Sequence, residues 1–252
     1  MSKQMMMKGM MAMTKGIDVS HWQGNIDWRT VKASGIDFAI IKAGGADDGY
    51  YKDSKFESNY KGCKDNGIKV GAYYFSNATT TDEAVVEAMR FTELLKGKQF
   101  DMPVYFDIEG KNQLSLGKER ISSIIRAFLE TMKNNGYFVG LYHSKSSLET
   151  NVAEDIRTRY AIWLAHWKIE KSSYKGQYGL WQYKVGKCNG INGDVDLDYC
   201  YIDYHTAIIN KGLNGYPKPD GETPTTLEPK TVEVYVDDKL IIKVKGEIEN
   251  GN

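Results

Sequence analysis

Residues Met102 to Glu109, MPVYFDIE, decide how the chain reads. Side chains alternate across a β-strand, so Val104, Phe106 and Ile108 make one apolar face and Tyr105, Asp107 and Glu109 the other. The apolar face is suited to packing under helices, which turns the acidic face inward. Asp107 and Glu109 then lie about 7 Å apart along the strand. Two ionised, unpaired carboxylates pointing into a barrel cost several kcal/mol. No Lys or Arg stands beside them in this stretch. Mutual repulsion would part their pKa values and leave one protonated at neutral pH, an arrangement suited to glycoside hydrolysis.

Similar β-like runs flank this one on both sides. They are Lys15 to Ser20, Phe38 to Ala43, Lys69 to Phe75, Phe138 to Ser144, Tyr160 to Trp167, Gly179 to Tyr183 and Asp194 to Tyr199. Helix-like segments separate many of them. Thr80 and Glu83 form a capping box ahead of EAVVEAMRFTELLK, and ERISSIIRAFLETMKNN stops at Gly136. Strands alternating with helices predict an α/β fold with a parallel sheet, and eight strands predict a closed barrel. The helices thin out after Ser144. In such a barrel functional groups gather at the C-terminal strand ends. Asp18, Asp107, Glu109 and Asp196 are the carboxylates expected there, among aromatics that suit sugar rings.

Composition narrows the chemistry. The 252 residues carry 33 Lys+Arg and 33 Asp+Glu, a balance that argues against nucleic acid as a partner. No apolar run reaches the roughly 18 residues of a membrane span. No zinc spacing, Walker loop, GxGxxG or GxSxG motif is present, and Asp194, Asp196 and Asp198 lack the Gly and distal Glu of a calcium loop. No metal or organic cofactor is implied. Three cysteines do not make a disulfide framework. Reduced thiols are the favoured reading, with Cys188–Cys200 the alternative bridge.

Residues 1–14 read as a disordered leader, with no secretory signal evident. Residues 15–212 read as the catalytic domain and 213–230, which hold four of the five prolines, as a linker. Residues 231–252 read as a small β-hairpin appendage around Asp237-Asp238, which must dock on the barrel, pair with another copy or fold with a partner.

The ordered motifs GIDVSHWQGNIDW (Gly16 to Trp28), FAIIKA, KVGAYYF, MPVYFDIEG, GLYHS, WLAHW, GLWQY and VDLDY resemble those of the glycoside hydrolase family 25 lysozymes, the Chalaropsis-type N-acetylmuramidases. The likeness runs from about Lys15 to Asn210. It implies a flattened eight-stranded β/α barrel with fewer helices than a TIM barrel. It also implies hydrolysis of the β-1,4 bond between N-acetylmuramic acid and N-acetylglucosamine in bacterial peptidoglycan. Carried over, Glu109 is the general acid, Asp107 orients or charge-stabilises the reacting sugar, and Asp18 and Asp196 complete the acidic site. Tyr73, Tyr142 and Trp167 are the stacking candidates and Gln182 a hydrogen-bond donor. Asp198 stands where the family commonly has Asn, and IKAGG replaces IKATEG. A phage or prophage endolysin, held in the host cytoplasm until release, is the expected biology. The alternative is a non-catalytic peptidoglycan-binding module on the same fold.

Overall fold

The computed structural model describes residues 13–219 in full and residues 230–236 and 239–246 by their backbone. The chain divides into two compact units, 1–219 and 220–252. The expected leader falls almost wholly outside the described residues.

The first unit carries β1 (Thr14–Val19), β2 (Phe38–Gly45), β3 (Tyr51–Lys52), β4 (Lys69–Phe75), β5 (Val104–Asp107), β6 (Val139–Ser144), β7 (Ala161–Ala165), β8 (Leu180–Gly186) and β9 (Val195–Cys200). Hydrogen bonding runs β1-β9-β8-β7-β6-β5-β4-β2, and a β1–β2 pairing closes the ring. The short β3 adds antiparallel to β2 outside the ring. Its eight helices are α1 (Trp28–Ala33), α2 (Phe56–Asp65), α3 (Thr81–Leu95), α4 (Lys111–Leu114), α5 (Lys118–Asn134), α6 (Lys145–Thr150), α7 (Glu154–Arg159) and α8 (Tyr204–Lys211). The eight-stranded barrel is the expected one.

One strand departs from the all-parallel expectation. β9 runs antiparallel to both β8 and β1. The reason is chain length. Residues 187–194 are too few for the parallel crossover, which needs about a dozen residues, so β8 and β9 form a hairpin. The reversal brings Asp196, near the start of β9, to the same rim as the ends of the parallel strands.

Alternation on β5 sorts its residues as expected. Phe106 stacks on Phe128 of α5 with ring centroids 3.8 Å apart, in a core shared with Phe91 of α3 and Tyr74 of β4. Tyr105 faces the lumen, where it joins Phe38, Ile40, Tyr142, Trp163 and Leu180, with Tyr204 and Ile208 of α8 in the same cluster. The lumen is tight. A Cβ added at Gly140, beside Tyr105 on β6, would meet that ring at 2.4 Å. The capping box forms as read, Thr80 Oγ1 accepting from Glu83 N at 3.2 Å and Glu83 accepting from Thr80 N at 3.1 Å.

Packing of the barrel unit continues past residue 212. Asn214 is fully buried; its Oδ1 accepts from Phe138 N at 2.7 Å and its Nδ2 donates to Met102 O at 2.9 Å. Tyr216 donates to Asp101 at 2.6 Å. The barrel unit therefore keeps residues 213–219, which composition alone assigned to the linker. In the second unit β10 (Lys230–Val236) and β11 (Lys239–Gly246) pair antiparallel, as the hairpin reading expects; the turn residues 237–238 lie outside the described residues. Cys63, Cys188 and Cys200 are all free and buried, so the Cys188–Cys200 alternative is not realised.

His143 on β6 points away from the lumen. It is 1% exposed, and neither ring nitrogen meets a hydrogen-bond partner among the described residues. Burial pushes its pKa down to about 4. Between that value and the ordinary 6.5 the unfolded chain binds more protons, so His143 makes stability fall as pH drops through this window, by about 3 kcal/mol in full. His143→Leu should remove that contribution. Urea melts at pH 7 and pH 4.5 should show the variant gaining on the parent at the lower pH; a constant difference would contradict the assignment.

Candidate active site

The acids converge at the mouth, where the C-terminal ends of the parallel strands meet. Asp18 near the end of β1 stands directly across from Asp196 of β9, and Asp198 stands across from Gly16. Like charges placed opposite each other repel, and three arrangements make this one tolerable. Gln182 of β8 donates from Nε2 to Asp18 Oδ2 at 2.8 Å. Trp163 of β7 donates from Nε1 to Asp198 Oδ1 at 2.7 Å. Protonation supplies the third. Burial, then Asp198 and Asp196, raises Asp18 well above the usual carboxylate range. Burial raises Asp198 to about 7 and also lifts Asp196.

The pair on β5 forms another part of the rim. Asp107 ends the strand, 6% exposed, and its Oδ1 meets no hydrogen-bond partner among the described residues. Burial and the charge of Glu109 raise it, while Lys42 lowers it. Glu109 lies two residues beyond the strand end. Its outer side is open to solvent while its inner side is partly desolvated, and that desolvation together with Asp196 raises its pKa. An acid whose pKa is raised and which still reaches solvent suits the role of a general acid.

Lys42 is a component that sequence reading missed. It is 7% exposed on the lumen face of β2, with Nζ 4.7 Å from the Phe75 ring centroid and 5.3 Å from that of Tyr51. It makes no direct ion pair among the described residues, so its charge acts through space on Asp107. The alternation of FAIIKA, which puts Lys42 on the face of Phe38 and Ile40, was the available signal.

The nominated binding residues separate into different places. Tyr142 is 7% exposed, edge-on to Trp163 at 4.6 Å, and donates to Gln182 Oε1 at 2.9 Å. It forms floor rather than platform. Tyr73 is half-buried, edge-on to Trp163 at 6.1 Å. Gln182 is 3% exposed and committed to Asp18, Tyr142 and Trp167, so it works inside the site. Trp167 is 46% exposed, with ring surface open to solvent. Trp22, which was not nominated, is 81% exposed on a 3₁₀ turn (His21–Gln23) directly after β1. A Ser20–Gln23 capping box and a 2.8 Å His21 Nδ1–Asp53 contact hold that turn. The Ser-x-x-Gln spacing was the sequence signal for it.

The acid network predicts its own stability cost. Because its folded pKa is raised, Asp198 stabilises the fold when protonated, below about 4, and that stability is lost as pH rises toward 7. Asp198→Asn keeps an acceptor for Trp163 and cannot ionise. It should match the parent near pH 4 and exceed it by roughly 2–4 kcal/mol above pH 7, several degrees in Tm. Thermal melts across that range check this; a variant less stable at pH 8 would contradict it.

A closed β/α barrel whose one antiparallel strand completes a ring of carboxylates at its mouth defines the class to which this protein belongs. The chain is a member of glycosyl hydrolases family 25, whose family profile matches residues 17–191. It is 31% identical over 207 residues to an autolytic lysozyme of Clostridium acetobutylicum, covering 80% of this chain and 61% of that protein. It is 31% identical over 196 residues to lysozyme M1 of Streptomyces globisporus, covering 72% and 66%. Among solved structures, the CTP1L endolysin superposes with a TM-score of 0.68 at 26% identity, covering 77% of this chain and 69% of that one. The chain thus spans just under two thirds of the length of these two lysozymes.

Proposed function

We propose that the protein is a lysozyme that hydrolyses the β-1,4 bond between N-acetylmuramic acid and N-acetylglucosamine in bacterial peptidoglycan. The observation that carries this reading is the split environment of the β5 pair. Asp107 is buried, raised by burial and by Glu109 but opposed by the Lys42 ammonium, whereas Glu109 is solvent-open and raised with no cation beside it. Family membership and the lysozyme relatives support it.

In this reading Glu109 gives its proton to the glycosidic oxygen as the C1–O bond breaks. Ionised Asp107 faces the positive charge that develops on the sugar, or holds the N-acetyl group that shares that charge. Water adds to C1 and its proton returns to Glu109. Asp18, Asp196 and Asp198 hold protons among themselves and, through Gln182, fix Trp167 at the rim. Trp22 and Trp167 offer the open aromatic faces for sugar rings.

The endolysin relative supports action on the cell wall. Storage in a host cytoplasm before release is the matching biology. The 231–252 segment, with its β10–β11 pairing, is suited to wall attachment or to self-association by strand addition. The test of function is release of soluble saccharides from purified peptidoglycan. The proposed enzyme liberates them. A chain that sediments with the wall and liberates nothing would be the non-catalytic module instead.

A further inference from the structure

A well-formed groove on the barrel unit lies on the outer wall, past the lip of the mouth. It has a volume of about 680 Å³ and is lined by Trp167, Trp181, Tyr183 and Tyr199 with Ile169 and Val185. Such a volume lies within the ordinary range of ligand pockets. β8 and β9 are joined by a loop rather than a helix, so the outward Tyr183 and Tyr199 are only partly covered, and Val185 stands at the hairpin lip across from Asp196. Val185 is 55% exposed, and Tyr183 and Tyr199 are half-buried. A partly exposed aromatic groove of this kind suits a ligand with flat apolar faces.

The groove is preformed. Tyr183 and Tyr199 stack with centroids 4.2 Å apart and planes 12° from parallel. Trp181 is pinned by an Nε1 bond to His166 O at 2.9 Å. Lys168, at the turn that carries the upper wall, holds a left-handed φ of 61°. That conformation is costly for a lysine and points to a functional loop.

Two observations identify the occupant. The groove is continuous with the acidic cleft through one residue. Trp167 lines the groove while its Nε1 donates to Gln182 Oε1 at 3.0 Å, and Gln182 bonds Asp18. The rim charges nearly cancel, with Lys168 and Lys184 against Glu170, which suits a neutral ligand rich in hydroxyls and amides rather than a polyanion. We propose that this outer-wall groove is a second carbohydrate subsite, which receives the β-1,4-linked N-acetylated glycan strand where it leaves the cleft. The inference rests on the glycan-hydrolase reading of the mouth. Its consequence is that a long strand is held at two points, so affinity grows with chain length beyond what the cleft alone gives.

The test is calorimetric titration of the full chain, in a Glu109→Gln background so that the probe survives. The probes are β-1,4-linked N-acetylglucosamine oligomers of three and six units. The hexamer is expected to bind about tenfold more tightly than the trimer. Tyr183→Ala and the uncharged Val185→Asn are each expected to remove most of that gain while shifting trimer affinity less than about twofold. Val185 is exposed, so its substitution leaves the core intact and keeps the test valid if Tyr183→Ala unfolds. Equal affinities in the parent, or a length gain that survives both substitutions, overturns the subsite alone. Binding of neither probe overturns the reading of the mouth as well. Sedimentation that shows a dimer dissolved by Val185→Asn overturns it in favour of a self-association face.

Discussion

Glu109→Gln is expected to reduce turnover on peptidoglycan by about 10²–10⁴-fold while leaving wall binding nearly intact. The amide fills the same space but has no proton to give. The leaving sugar oxygen then departs as an unprotonated alkoxide, and the barrier rises accordingly. Glu109 is open to solvent and lies past the end of β5, so the substitution removes no core packing and no hydrogen bond of the fold. The same exposure separates this variant from a folding defect: its melting temperature should equal or exceed the parent's, because one raised-pKa acid has been neutralised. Single-turnover assays and wall cosedimentation check both halves. Retention of more than about a tenth of the rate would move the general acid to another carboxyl of the mouth.

Lys42→Met should have the next largest effect, and it should show as a pH shift. Asp107 must be ionised to stabilise positive charge on the sugar, yet burial and Glu109 both push its pKa up. Among the described residues Lys42 is the one cation that opposes them. Without it the pKa of Asp107 rises further, and Asp107 and Glu109 separate less well into base and acid. Turnover at pH 6 should fall roughly 100-fold, a cost of about 3 kcal/mol in the barrier. The sign is fixed. Removing the cation raises the pKa of Asp107, so the acidic limb of the rate profile moves to higher pH and part of the lost activity returns on raising the pH. Lys42→Arg keeps the charge and should retain the parent's limb. Met preserves the stem that packs over Phe75 and Tyr51, which keeps a merely structural loss small. A uniform fall in rate with an unmoved profile would mean that Lys42 only packs.

The legible parts of this molecule are those carried by local periodicity. MPVYFDIE announces a two-faced strand because its alternation is strict, and the two faces do pack on α5 and into the lumen. The Thr80–Glu83 and Ser20–Gln23 boxes are local as well, although only the first was read as a helix start. Direction and long-range pairing are harder to read. β9 was expected to be parallel because VDLDY looks like any other run, and only the eight-residue link before it carries the contrary information. Residues 213–219 looked like a linker because Gly215, Pro217 and Pro219 dominate the composition. A single asparagine, Asn214, anchors them by bonding to three backbone groups far away in sequence.

The site divides in the same way. The four acids were found from strand ends, where periodicity and barrel geometry meet. Lys42, Trp163 and the hub role of Gln182 were not found, because each acts through a partner on another strand. A lysine in an otherwise apolar run also reads most simply as an edge residue with its head in water. Here it lies inside, where it offsets the charge that the acids concentrate.

The most direct test of the account is the identity of the new chain ends. Purified peptidoglycan is digested with the parent and with Glu109→Gln, the fragments are reduced with borohydride, and their masses are read. The account predicts fragments ending in reduced N-acetylmuramic acid from the parent and almost none from the variant. Fragments ending in reduced N-acetylglucosamine, or equal yields from both proteins, would contradict it.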